Sequence, residues 1–166
     1  MLRLINAVTC FQAAILPECA SLRLVTLTGT DSRDEVSSCQ ATVAVVDRTP
    51  PSISSVTASP NILWPANHKM VPVAVGVTVT EACDANVANG CTIVSVTSNE
   101  PINGLGDGNT EPDYEITGKL TLNLRAERSG TGNGRIYTVG VACADASGNS
   151  STQAVAVTVL HDQSKK

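Results

Sequence analysis

The chain has 166 residues, enough for one domain with a core of its own plus a further fragment. Its 20 Val and 18 Thr against one Trp, one Phe, two Tyr and two Met favour strands over helices, because β-branched side chains are stiff and pack well on a pleated surface. A net charge of −4 with 11 Lys plus Arg scattered singly excludes the basic stripe that a nucleic-acid backbone requires, and no apolar run approaches the roughly 18 residues of a membrane span.

Residues 1–21 give no assignable element. Asn6, Thr9 and Gln12 interrupt their apolar stretch, which makes a poor signal peptide, and neither Cys10 nor Cys19 follows a lipoprotein box. Residues 22–46 read as a β-hairpin, two alternating runs around the polar turn that Asp31 leads. A lone hairpin is marginal in water, so this one must either dock on the next domain or belong to a longer chain, and it is expected to be the closing hairpin of a truncated upstream module. Residues 47–51, Asp-Arg-Thr-Pro-Pro, form a stiff linker because consecutive prolines fix φ and hold the preceding residue extended.

Residues 52–163 are expected to form one complete module. Strands are predicted at 52–58, 71–79, 91–98, 114–117, 120–124, 136–143 and 153–160, with the longest loop over 99–113. Val71, Val73, Val75, Val77 and Val79 face one way, as do Tyr137, Val139, Val141 and Cys143. Asp145 opens the turn of the last hairpin as Asp31 opens the first, so the pattern repeats after about one small domain. Seven short strands with turn signals between them predict an all-β fold, an immunoglobulin-like antiparallel β-sandwich.

The phrases VVDRTPP, NILWPANHKMVPV, EACD, TSNEPINGLGDGNTEPDYEITG, LNLRAERSGTGNGRIYTV and CADASGN together resemble a bacterial secreted Ig-like repeat akin to hyalin-repeat modules. The first hairpin resembles the end of a hyalin-repeat or polycystic-kidney-disease-type module. The resemblance implies a non-catalytic spacer or adhesion unit of a secreted or cell-surface multi-domain protein. Its expected partners are neighbouring Ig-like modules, and a surface protein or a glycan.

Candidate sites follow from the topology. An Ig-like order brings the entry linker, the loop after the second strand and the closing turn to one pole. Asp47, Glu81, Asp84, Asp145 and Asn149 would then supply oxygens of the kind calcium binds. Related repeats bind calcium at linkers, which the resemblance adds; the alternative is that these residues form turns. A second, weaker calcium candidate is Asp107, Asn109, Glu111 and Asp113, spaced like the start of an EF-hand loop, although Pro112 and Gly118 stand where that motif needs Gly and Glu.

Six Cys without CxxC or Cys/His zinc spacing point to disulfides and an oxidising, extracellular compartment. One disulfide is expected among Cys83, Cys91 and Cys143, with one thiol left over, while Cys39 either lacks a partner or pairs with Cys10 or Cys19. With only His68 and His161, neither a histidine triad nor a zinc site has its parts, and no enzyme is expected. Residues 129–134, Ser-Gly-Thr-Gly-Asn-Gly, read as a flexible hairpin turn, and Asn149-Ser-Ser is a glycosylation sequon of consequence only in a eukaryotic secretory route. Trp64 is expected to cap the core. The alternative function is a carbohydrate-binding accessory module of a secreted hydrolase, with Trp64, Tyr114 or Tyr137 as the platform.

Overall fold

A computed structural model describes residues 19, 21–104, 106–108 and 110–161, and the chain divides into two units between Arg48 and Thr49. In the first, β1 (Ser21–Thr30) and β2 (Val36–Val45) pair antiparallel from Ser21↔Val45 to Thr30↔Val36. Asp31 closes their turn: its Oδ1 accepts from the backbone N–H of Arg33 at 2.8 Å and of Glu35 at 3.0 Å.

The second unit holds β3 (Ser52–Ser59), β4 (Ile62–Leu63), β5 (Met70–Thr80), β6 (Cys91–Ser98), β7 (Tyr114–Gly118), β8 (Thr121–Arg125), β9 (Gly134–Ala144) and β10 (Ser150–Leu160). These make two four-stranded sheets, ordered β3-β5-β8-β7 and β4-β10-β9-β6. All pairings are antiparallel except that of β4 with β10. This is the immunoglobulin-like sandwich. Two elements escaped the sequence reading: β4, two residues long, and a 3-10 turn at Val87–Gly90 within a stretch of Ala, Asn and Gly. Neither is long enough to show a period.

Alternation decides what is buried. Val73 and Val75 of β5, Leu122 and Leu124 of β8, Val139 and Val141 of β9, and Val157 and Val159 of β10 meet between the sheets, with Val71, Val77, Val79 and Val155 partly buried around them. Among the described residues no helix is long and apolar enough to cross a membrane.

The pairings also fix two poles. Ser52 pairs with Thr80, Cys91 begins β6 just beyond the 3-10 turn, Cys91 pairs with Cys143, and Cys143 pairs with Ser151. The start of β3, the end of β5 and the turn of β9–β10 therefore share the entry pole. Leu160 pairs with Gly134 at the far pole, together with the loops at 64–69, 99–113 and 126–133.

Cys91 and Cys143 form a disulfide between neighbouring strands, their Cα atoms 3.9 Å apart. Cys83 is also disulfide-bonded, which corrects the expectation of a leftover thiol, as are Cys19 and Cys39. Cys10 lies outside the described residues.

Candidate functional site

The most heavily built polar region is at the far pole, around Arg135. Alternation along β9 aims Arg135 inward beside Tyr137, and both side chains are fully buried. A buried guanidinium needs acceptors for its donors and a charge to offset its own. The long loop supplies them. Arg135 Nη1 donates to Asp113 Oδ2 and, at 3.2 Å, to the Tyr137 hydroxyl. Nη2 donates to Asp107 Oδ2 and to the Pro101 carbonyl, each at 3.3 Å, and Nε donates to Glu100 Oε2 at 3.3 Å. The guanidinium also lies 5.6 Å from the centroid of the Tyr137 ring.

Burial opposes the charge on Arg135, but the Tyr137 oxygen and the Asp113 carboxylate outweigh it and hold the guanidinium above its ordinary range. Burial likewise raises the Tyr137 phenol, with Arg135 pulling the other way. The phenol donates to the Arg125 carbonyl at 3.0 Å, fastening β9 to the end of β8.

The same knot orders the glycine-rich segment at 129–134. Ser129 N–H donates to Glu100 Oε2 at 2.7 Å and Gly130 N–H to the Gly106 carbonyl at 3.0 Å. Beside it, the wholly buried Glu127 accepts at 2.8 Å from Nδ1 of His68, whose ring is half exposed. Gly108, at φ +101°, makes room for that ring: a Cβ there would stand 2.7 Å from His68 Cε1. Arg125 donates to the carbonyls of His68 and Pro112 at 2.7 and 2.9 Å. His161, partly buried, lies with Nε2 3.3 Å from the Gly130 carbonyl.

The acidic loop is thus built differently from an EF-hand. Asp107 and Asp113 are buried on Arg135, Glu111 is exposed and accepts from Asn103, and Asn109 lies outside the described residues. An arginine fills the position between the two aspartates. Sequence reasoning passed over Arg135, Glu100 and Glu127. The available signal was parity: Arg135 stands two residues before Tyr137 on the core face of its strand.

At the entry pole the topology brings Glu81, Asp84, Asp145 and Asn149 to one end of the second unit, while Asp47 is a buried residue of the first unit. The carboxylates of Glu81, Asp84 and Asp145 each serve their own turn. Glu81 Oε2 accepts from the N–H groups of Cys83 and Asp84, both at 2.5 Å, and Asp84 Oδ1 from Asn86 N–H at 2.8 Å. Asp145 Oδ1 accepts from Ser147 and Asn149 N–H at 2.9 and 2.8 Å, and Oδ2 from the Asn149 amide at 2.9 Å. Desolvation opposes these bonds, but they prevail and hold the Asp145 carboxyl below its ordinary range. Glu81 Oε1 is buried without a hydrogen-bond partner. Cys83 Sγ lies within 4.8 Å of the Glu81 carboxylate, but a disulfide sulfur is not a thiolate ligand.

The three aromatic candidates separate by exposure. Trp64 is 45% exposed and so does not cap the core, correcting that expectation; it lies in the loop between β4 and β5. Tyr114 is 37% exposed at the start of edge strand β7, and it borders a groove with Ser98, Pro101 and Ile102. Tyr137 is fully buried and cannot serve as a platform. No family model matches the chain, and neither the curated proteins nor the solved structures yield a match.

Proposed function

We propose that the second unit is a non-catalytic Ig-like spacer module of a secreted or cell-surface protein, made to be strung between neighbouring modules. One observation carries this reading: the chain enters the sandwich at one pole, where Ser52 pairs with Thr80, and leaves it at the other, where Leu160 pairs with Gly134. Modules with opposite entry and exit add length when joined in series. The eleven residues of β10 span about 35 Å at the rise of a strand. The disulfide agrees with an oxidising compartment. Appending a second copy of residues 47–161 after His161 should lengthen the particle by about that amount in small-angle scattering. An unchanged maximum dimension, from modules folded back side by side, would count against a spacer.

Calcium belongs to the same proposal, as a stiffener of the entry pole. Its support is the partnerless Glu81 Oε1 rather than Asp145, whose two oxygens already serve its own turn. Melting in millimolar calcium and in chelator should differ by several degrees, with Glu81→Gln removing the difference; equal melts dispose of calcium.

A second reading, a carbohydrate-binding accessory module, draws on the open rings of Trp64 and Tyr114. Retention on polysaccharide affinity gels that is lost in Trp64→Ala or Tyr114→Ala would favour it over the spacer.

A further inference from the structure

The turn of β1–β2 repeats the backbone hydrogen bonds of the β9–β10 turn and the two that its leading Asp accepts through Oδ1. In each, an Asp N–H donates to the carbonyl four residues on, Asp31 to Glu35 and Asp145 to Asn149, both at 3.0 Å. Its carbonyl accepts from the residue three on, Asp34 at 3.1 Å and Gly148 at 3.2 Å, and these two residues share a positive φ of 62° and 87°. Its Oδ1 accepts from the N–H groups two and four residues on, in both turns.

The match continues along the strands. With Asp31 set on Asp145, the pair Val25↔Ala41 falls on Val139↔Val155, Arg23↔Val43 on Tyr137↔Val157, and Ser21↔Val45 on Arg135↔Val159. Val25, Leu27, Ala41, Val43 and Val45 therefore occupy one face, at the positions that β9–β10 turns into the core. Leu22 and Leu24 take the outward positions of Ile136 and Thr138, with Thr26, Thr28 and Gln40 on the same face. Val25 and Leu27 remain 49 and 47% exposed, whereas Val139 and Val141 are wholly buried under the sheet β3-β5-β8-β7.

We propose that the β1–β2 hairpin docks, through Val25, Leu27, Ala41, Val43 and Val45, on the apolar face of an antiparallel four-stranded sheet of the same kind. It completes a second sandwich as β9–β10 completes the first. The partner is thus an Ig-like half-sandwich lacking its closing hairpin. The matching register states what covers the face, since an apolar strand face of this spacing is met by another sheet packed about 10 Å away.

The test supplies such a half-sandwich. Residues 49–133, a hairpin-less copy of the second unit, are placed immediately before Ser21 with the rest of the chain retained, and amide exchange is followed in β1 and β2. Docking should slow exchange there by about a hundredfold relative to the unextended chain. Val43→Asp should abolish the protection, and Leu24→Asp, on the outward face, should leave it. Three results would overturn the proposal: no gain in protection, equal loss with both substitutions, or protection already present without the added half. In the last case, loss on dilution would identify a second copy as the occupant, and loss on deleting residues 1–18 would identify the leading segment. The readout is local to β1–β2, so it is independent of the particle length that tests the spacer.

Discussion

Arg135 is the residue on which the far pole turns, because it brings a full charge to a position that alternation makes internal. Removing it would take the guanidinium charge away from the buried carboxylates of Asp107 and Asp113, a change that costs about 3–5 kcal/mol in comparable pairs. Arg135→Met should lower the urea midpoint accordingly. Arg135→Lys should recover little, since an ammonium cannot reach Glu100, Asp107 and Asp113 from one planar fork. Full stability in the lysine variant would show that charge alone matters there. Asp145 allows a test by pH. Its carboxyl titrates lower in the folded protein than unfolded, so it adds stability that is present above about pH 4 and lost as pH falls through the folded value. The stability gap between the protein and Asp145→Asn should therefore narrow on acidification, and a gap constant from pH 7 to pH 2 would assign the effect to turn geometry. Asp145 was legible in the sequence as a turn residue. Arg135 was not, because an arginine opening a strand reads as its polar edge until parity with Tyr137 is counted.

At the scale of elements, the disulfide and the 3-10 turn hold β6 against β9. The bridge Cys91–Cys143 spans 52 residues of chain, and closing a loop of that length stabilises the folded state by about 4 kcal/mol in the chain-entropy account. Replacing both cysteines by Ala should cost a few kcal/mol yet leave a cooperative melt, because Val139 and Val141 keep β9 in the core. Gly90 ends the 3-10 turn against β9: a Cβ there would stand 2.1 Å from the Ala144 carbonyl. Backbone must move to admit it, so Gly90→Ala should destabilise by about 1–3 kcal/mol, and a neutral effect in denaturant melts would mean that the loop yields freely. The long strands were readable because each carries several Val in strict alternation. β4 was not, since its two residues hold their place through pairing with Thr158 and Val159, a long-range contact with no local signature.

For the whole molecule, the question is whether the second unit needs the first. Every residue of the main core cluster, from Leu63 to Val159, lies beyond Thr49, and the chain divides just before that residue. A unit whose apolar contacts close within itself should unfold as a unit. Residues 49–161 alone should then melt in one transition with a calorimetric enthalpy of about 80 kcal/mol, the value expected for a domain of that length. The sharpness of the transition is the deciding feature. A hairpin contributing to the core would, on deletion, expose apolar surface and lower both the enthalpy and the denaturant slope, which scales with the surface exposed on unfolding. A broad or enthalpy-poor melt would therefore show that the second unit does not stand without residues 1–48.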